Sequence, residues 1–170
     1  MYLTINSGSY ANANSTTAQG ERNDCVVRAM ATATGVDYDT AHSFVKTTMN
    51  RQNRMGVETS VLKQAFNAAE KTGMVIGDKK FDVRECTQKE TRNMYKLKGE
   101  IIWRKKTLKS FLDTNRKGTF LVIVSGHAIT VKDGEVFDWQ NNAFLPTRKV
   151  VRAFELSVHE PASPQLVLEF

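Results

Sequence analysis

Three residues of this chain have the chemistry of a cysteine nucleophile, its base and the group that orients the base. Cys25 stands where the polar pair Asn23-Asp24 meets an apolar run, and His127 opens a strand-like run about a hundred residues later. Asp138 follows the turn Asp133-Gly134 on the next strand-like run. In thiol-dependent acyl transfer an imidazole takes the thiol proton and a third group holds the imidazole. The sequence therefore predicts that these three side chains meet.

The position of Cys25 at the start of a helix favours a reactive sulfur. Small and branched apolar residues cover most of a helix circumference from Cys25 to Thr34, and Gly35 marks the end. Asn23 or Asp24 provides an N-cap. The unpaired N–H groups and the positive end of the helix dipole stabilise a thiolate. We expect a central, buried helix with the thiol in its first turn.

The residue that orients the imidazole lies on the far arm of the hairpin around Asp133-Gly134. Counted outward from this two-residue turn, His127 opposes Gln140, and Asp138 lies diagonal to it. A bulge or a slipped register is needed to bring the Asp138 carboxylate to the ring. Asp138 is the first candidate, with Gln140 and Asn141 in reserve, because a side-chain amide can also hold an imidazole.

The elements that position these residues fall into an α+β order, with helices first and an antiparallel sheet afterwards. The pattern predicts further helices from Tyr38 to Met49 after the cap Asp37, from Thr59 or Ser60 to Lys71, and from Thr107 to Asn115. It predicts strands over Thr119–Val124, Ala128–Val131 and Glu135–Asp138, and another over Glu100–Trp103.

The chain has the size and composition of one domain, spanning residues 1–170, with 41% hydrophobic residues. Residues 6–20 are polar and small, so that we expect an extended amino-terminal arm over residues 1–20. No apolar run reaches the roughly twenty residues of a spanning helix, and the first residues lack a basic leader and an apolar stretch. We expect a soluble, cytoplasmic protein without a membrane partner.

The remaining cysteine and histidines carry no further motif. Cys25 and Cys86 are expected to be unpaired in a reducing compartment, and Cys86 to be exposed or half-buried without a role. His42 and His159 are expected at the surface. No CxxC or HxxxH spacing accompanies Cys25 and His127, and two ligands do not hold zinc. We expect neither a metal nor a cofactor.

The net charge of +6 is concentrated in the middle of the chain. Residues 78–117 hold thirteen Lys or Arg against six Asp or Glu. Such a segment suits nucleic acid or an acidic partner. Because the basic residues are scattered and form no known nucleic-acid-binding motif, a solvated basic face is the favoured interpretation and nucleic-acid binding the alternative.

The residues around Cys25 and His127 resemble the papain-like superfamily of cysteine peptidases, in which the nucleophile leads a buried helix and the histidine opens a strand. Gln19 stands six residues before Cys25, the spacing at which papain-type enzymes place the glutamine of the oxyanion hole. The run Cys25–Ala29 is also similar to the nucleophile segment of the ovarian-tumour deubiquitinases. The papain signature Cys-Gly-Ser-Cys-Trp and an Asn-Ser-Trp after the histidine are absent. The resemblance covers residues 19–35 and 119–141.

The resemblance implies a small, divergent papain-like fold, of the kind encoded by phages and bacteria, whose helical half carries the nucleophile against a carboxyl-terminal antiparallel sheet. It implies a cysteine hydrolase that cleaves a peptide, isopeptide or side-chain amide bond of a protein or peptide substrate. The oxyanion hole then combines the backbone N–H of Cys25 with the side chain of Gln19 or Asn23. Deamidase and acyltransferase activities use the same triad. The alternative is a basic binding protein without turnover, for nucleic acid or an acidic host partner.

Overall fold

The computed structural model describes residues 3–140 and 144–161 and has a mixed α+β architecture. The helices of this part of the chain are α1 (Gly8–Ala11), α2 (Thr16–Gly20), α3 (Cys25–Thr34), α4 (Tyr38–Thr48), α5 (Thr59–Thr72), α6 (Gln88–Thr91) and α7 (Leu108–Thr114), with a 3₁₀ turn at Leu145–Thr147. The strands are β1 (Ile5–Asn6), β2 (Met74–Ile76), β3 (Lys79–Glu85), β4 (Arg92–Leu97), β5 (Glu100–Lys105), β6 (Thr119–Val124), β7 (His127–Lys132), β8 (Glu135–Phe137) and β9 (Val150–Val158).

Local signals explain where the helices begin and end. The predicted helix α3 is confirmed, and Gly35 closes it with a φ of 71°, a left-handed conformation that favours glycine. The Asp37 side chain caps α4 by accepting a hydrogen bond from the Thr40 N–H at 2.7 Å. Thr107 caps α7 in the same way, through the Ser110 N–H. The predicted Asp37 cap is confirmed, whereas Thr107, predicted as the first residue of its helix, is the cap.

Within the described residues, seven strands form one sheet in the order β1-β8-β7-β6-β9-β3-β2. All neighbours are antiparallel except β1, which pairs in parallel with β8. The predicted antiparallel pairing of the carboxyl-terminal strands is confirmed for β6, β7 and β8. The whole sheet is mixed, however, because it also takes β1 from the amino-terminal segment, and it includes the strands of residues 74–85.

The sheet has a hydrophobic core on each face, with β6 at its centre. Leu121 and Ile123 pack into the core that contains α3, and the alternate residues Phe120 and Val122 pack into the core that contains α7. This alternation explains the continuous apolar run of β6, because a strand buried on both faces needs no polar side. Cys86 is buried in the second core, which corrects the expected exposure of this thiol. Both cysteines are free.

The amino-terminal segment is not the extended arm that its polar composition predicts. Residues 5–6 form a sheet strand, and residues 8–20 contain the two short helices α1 and α2. Tyr10 and Ala18 are almost fully buried. One large aromatic residue, together with backbone pairing at the edge of the sheet, orders a segment that otherwise has few apolar side chains.

Residues 92–105 form a separate two-stranded sheet, β4–β5, whose second strand confirms the strand predicted over Glu100–Trp103. Among the described residues, no helix is both long and apolar enough to cross a bilayer.

Candidate active site

Cys25 is the first residue of α3, and its side chain is half-buried. Asn23, with a φ of 51°, turns the chain sharply into the helix. The first N–H groups of a helix have no acceptor within the helix, so the Cys25 end of α3 presents free donors. Asp24 does not cap these groups, because its carboxylate accepts hydrogen bonds from Arg28 and Tyr38 instead. The thiol therefore lies at an open, positive helix end.

His127 begins β7 directly after the turn that leaves β6. The hairpin to β8 has the predicted register, with Lys132 opposite Glu135. The strand β8 ends at Phe137, however, and the Asp138 N–H donates to the Asn6 carbonyl on β1 at 3.2 Å. Because Asp138 has left the ladder, its carboxylate reaches the ring without the bulge or register slip that the sequence required.

Asp138 and His127 form a short, buried contact. The Asp138 side chain is fully buried, and its Oδ1 lies 2.6 Å from His127 Nε2. Cys25 lies close enough to the ring to raise the pKa of His127, and both residues line the same cavity; since Nε2 faces Asp138, Nδ1 is the nitrogen left for the sulfur. The structure thus brings together Cys25, His127 and Asp138 in that order.

These neighbours control the protonation of the imidazole. Burial disfavours the charged ring, but the interactions with Asp138 and Cys25 outweigh burial and raise the pKa of His127 to about 9. His127 is therefore an imidazolium at neutral pH. A cation in this position stabilises a thiolate beside it.

Tyr10 and Trp139 cover the histidine. The Tyr10 hydroxyl donates to the Ala128 carbonyl at 2.8 Å, and its ring meets His127 and Trp139 edge-on at centroid distances of 6.3 and 5.5 Å. Burial raises the pKa of Tyr10, so that the hydroxyl stays neutral. Sequence reasoning missed Tyr10, because nothing local to it distinguishes it from a surface tyrosine.

Arg28 links the nucleophile helix to this aromatic cover. Its Nε donates to the Asp24 carboxylate at 2.9 Å, and its guanidinium lies 4.6 Å from the centre of the Trp139 ring. The guanidinium also lies 5.3 Å from the centre of the Tyr38 ring. Arg28 Nη1 donates a hydrogen bond to the Tyr10 carbonyl. The guanidinium thus connects α3, α4, the amino-terminal segment and the residue next to Asp138.

Glu21 anchors the loop that contains Arg51 and Arg54. Its carboxylate accepts hydrogen bonds from Arg51 at 2.7 Å and from the Arg54 N–H at 2.8 Å, and it contacts His42 at 3.0 Å. Burial opposes its ionisation, but these bonds outweigh burial and lower the pKa of Glu21 to about 2. His42 is buried in this cluster, so its expected surface position is wrong. No sequence pattern indicates this anchor, because its members lie far apart in the chain.

A cavity of about 650 Å³ opens beside the thiol and the imidazole. Cys25, His127 and Trp139 are among the residues that line it. The lining also contains the apolar side chains of Val57, Leu62 and Ile123 and the polar side chains of Glu21, Arg22 and Asn23. The cavity can therefore receive a substrate that has both apolar and polar groups.

The predicted oxyanion donors differ in position. Asn23 lines the cavity, and its side-chain Nδ2 donates to the Arg54 carbonyl at 3.1 Å. Gln19 is exposed on α2 and does not line the cavity, so its predicted place in the oxyanion hole is wrong. The short helix α2 ends at Gly20, and the chain then turns before Cys25, which leaves Gln19 outside. Of the reserve orienting residues, Gln140 is exposed and Asn141 lies outside the described residues.

Comparison of the chain with protein-family models, with curated proteins and with solved structures found no match. Among the described residues, no cluster of three or more His, Cys, Asp or Glu side chains is arranged to hold a metal ion.

Proposed function

We propose that the protein is a thiol-dependent hydrolase of the papain-like type that cleaves a peptide, isopeptide or side-chain amide bond. The observation that carries the proposal is the chain of contacts from Asp138 through His127 to Cys25 at the edge of an open cavity. A buried aspartate behind the ring, an imidazolium and a thiol at a helix start are the components of nucleophilic acyl transfer. The packing of α3 on a sheet through β7 agrees with the papain-like resemblance.

In the first half of the reaction, the Cys25 thiolate attacks the substrate carbonyl and forms a carbon–sulfur bond. The carbonyl electrons move to oxygen and give a tetrahedral oxyanion. As the oxyanion collapses, the carbon–nitrogen bond breaks, and the His127 imidazolium gives its proton to the departing amine. A thioester on Cys25 and a neutral His127 remain.

In the second half, neutral His127 takes a proton from a water molecule that attacks the thioester carbonyl. Collapse of the second oxyanion expels the Cys25 thiolate and releases the carboxylic acid. Asp138 keeps Nε2 paired through both halves, so that Nδ1 always faces the sulfur and the substrate. An acyltransferase uses an amine or hydroxyl in place of this water.

Two donors suit the oxyanion. The backbone N–H of Cys25 is free of helix pairing, and Asn23 lines the same cavity. A side-chain amide has two N–H groups, so that Asn23 can hold the Arg54 carbonyl with one and the oxyanion with the other. In this role Asn23 replaces Gln19.

The experiment uses electrophiles and peptides on the same set of variants. Wild type, Cys25→Ala, His127→Ala and the matched control Cys86→Ala are treated with a peptidyl chloromethyl ketone, a ubiquitin-like vinyl electrophile and iodoacetamide, and adducts are located by mass spectrometry. In parallel, a proteome-derived peptide mixture is scanned for new amino termini and for released ammonia.

We expect adducts at Cys25 in wild type and in Cys86→Ala, and peptide cleavage that is lost in Cys25→Ala. Ammonia release without new termini would identify a deamidase instead. Equal labelling of both cysteines, unchanged by His127→Ala and without turnover of any substrate, would contradict the proposal and favour the binding protein.

A further inference from the structure

The β4–β5 ribbon, residues 92–105, has an unusual surface. It holds four of the nine exposed large hydrophobic side chains of the described residues: Met94, Tyr95, Leu97 and Ile101. It also holds five basic residues, Arg92, Lys96, Lys98, Arg104 and Lys105, against the single acidic residue Glu100. Solvated surfaces rarely combine so much exposed apolar area with charge of one sign, whereas binding surfaces do.

The ribbon is fastened at its root and free at its tip. Next to the root, the Lys106 N–H donates to the Thr91 carbonyl at 2.9 Å, and Asn93 lies 3.4 Å from the Ser110 hydroxyl on α7. In the described part of the chain, the strands β4 and β5 pair only with each other. Their six residues each extend for roughly 20 Å to a tight turn at Lys98-Gly99. The ribbon is therefore an arm that projects from the body.

The cations of the arm are concentrated on one face. Residues directly opposite in an antiparallel pair share a face, so that Met94 and Trp103 lie on one side with Arg92, Lys96 and Lys105. On the other side lie Tyr95, Leu97 and Ile102, with the Arg104 guanidinium 5.5 Å from the centre of the Tyr95 ring and Glu100 opposite Leu97. One face thus combines three cations with large apolar side chains, which suits a groove that has anionic walls and apolar groups on its floor.

We infer that the β4–β5 ribbon is a DNA-binding arm that enters the major groove of a duplex. The major groove of B-DNA is about 12 Å wide, admits a two-stranded ribbon and has phosphates along both walls. Lysine and arginine neutralise those phosphates, while exposed apolar side chains contact base edges such as the thymine methyl group. The deep, narrow major groove of duplex RNA does not admit the arm. The polar tip Lys98–Glu100 argues against insertion into a bilayer.

The arm is independent of the proposed hydrolase. Its root lies beside α6 and α7, whereas Cys25 and His127 lie on α3 and β7. Substitutions in the arm therefore leave the labelling of Cys25 unchanged, and failure of either proposal leaves the other intact.

The test measures binding to a fluorescein-labelled DNA duplex of mixed sequence by anisotropy, at a series of salt concentrations from 50 to 200 mM. If the arm neutralises four phosphates, we expect its affinity for the DNA duplex to fall by about 100-fold between 50 and 200 mM salt. In Lys96→Gln/Lys105→Gln, which removes two cations from one face, the fall shrinks to about 10-fold because the salt slope decreases by about 0.9 for each lost contact. Lys46→Gln/Lys71→Gln, on α4 and α5, is the matched control for total charge and keeps the wild-type slope.

Four results would overturn the inference: equal slopes in the two double variants, no binding to DNA at 50 mM salt, equal binding to an RNA duplex of the same sequence, or preferential binding to phosphatidylserine vesicles. The first result assigns binding to overall charge. The last two assign the arm to a different anionic surface.

Discussion

Replacing His127 with alanine tests the thiolate–imidazolium pair on which the proposed chemistry depends. The pKa of His127 is raised to about 9, so the ring is charged throughout the neutral range and presents a cation to the neighbouring Cys25. Because a cation beside the sulfur favours thiolate attack, we expect iodoacetamide to alkylate Cys25 faster in wild type than in His127→Ala at pH 7. Hydrolysis, which needs the proton of His127 for the leaving amine, decreases as the pH rises through about 9.

The size of the effect follows from the loss of the cation. An isolated cysteine thiol, with a pKa near 8.5, is only about 3% thiolate at pH 7. Loss of the thiolate–imidazolium pair thus lowers the alkylation rate of Cys25 by up to about thirtyfold. Because a thiolate without a neighbouring cation is intrinsically more reactive, the expected decrease in rate is about tenfold.

Cys86 provides an internal reference for the alkylation of Cys25 in the same reaction. Burial raises the pKa of this thiol to about 12, so that it reacts slowly in the folded protein. Quantifying the tryptic peptides of both cysteines separates loss of activation, which affects Cys25 alone, from unfolding, which exposes Cys86. If folded His127→Ala alkylates at Cys25 with the rate and pH profile of wild type, the pair does not exist.

Substitutions at three further positions test the groups around the pair. Asp138→Ala should slow labelling of Cys25, and Asp138→Asn should slow it less, because an amide oxygen still accepts from the ring; equal effects in the same alkylation assay would exclude an orienting role. Arg28→Met should lower the free energy of unfolding by about 3 kcal/mol in urea titrations, because it leaves the Asp24 carboxylate buried without its cation, and a loss below 1 kcal/mol would contradict this. Glu21→Gln should destabilise by a similar amount at pH 7, where Arg51 loses its partner. Because the pKa of Glu21 is lowered to about 2 from 4.5, this stabilisation is full above about pH 4.5 and is lost as the pH falls towards 2, so the two unfolding curves should converge in acid.

The parts of the site that were predicted correctly are those with local signals. An apolar run that ends at Gly35 specifies α3, and the Asp133-Gly134 turn sets the register of β7 and β8. The strand β9 was missed, although it lies between β6 and β3 in the sheet, because its sequence mixes charged residues with apolar ones. Its charges are satisfied across strands, as in the ion pair of Arg152 with Glu85, and such pairing depends on tertiary contacts.

The parts that could not be predicted are contacts between distant segments. Tyr10, Arg28 and Glu21 each look like surface residues in the sequence, yet each is buried against partners from other elements. Gln19 has the spacing of a papain-type glutamine, but a spacing in sequence does not fix a position in space when the intervening chain turns. The contact between Asp138 and the His127 ring also depends on β1. The Asn6 carbonyl accepts a hydrogen bond from the Asp138 N–H and so keeps Asp138 outside the hairpin.

The distance between sulfur and imidazole is set by packing of a helix on a strand, and one buried bond fixes that packing. The Thr130 hydroxyl on β7 donates to the Ala29 carbonyl on α3 at 2.7 Å. Ala29 lies four residues, or one helical turn, after Cys25, and Thr130 lies three residues after His127. The bond therefore joins the two reactive elements within a few residues of the reactive atoms, and a slide of the helix along the sheet would break it. Arg28 restrains the same helix from its other side through Trp139, the neighbour of Asp138. Together these contacts explain how residues about a hundred positions apart can stay at the same cavity without any local link between them.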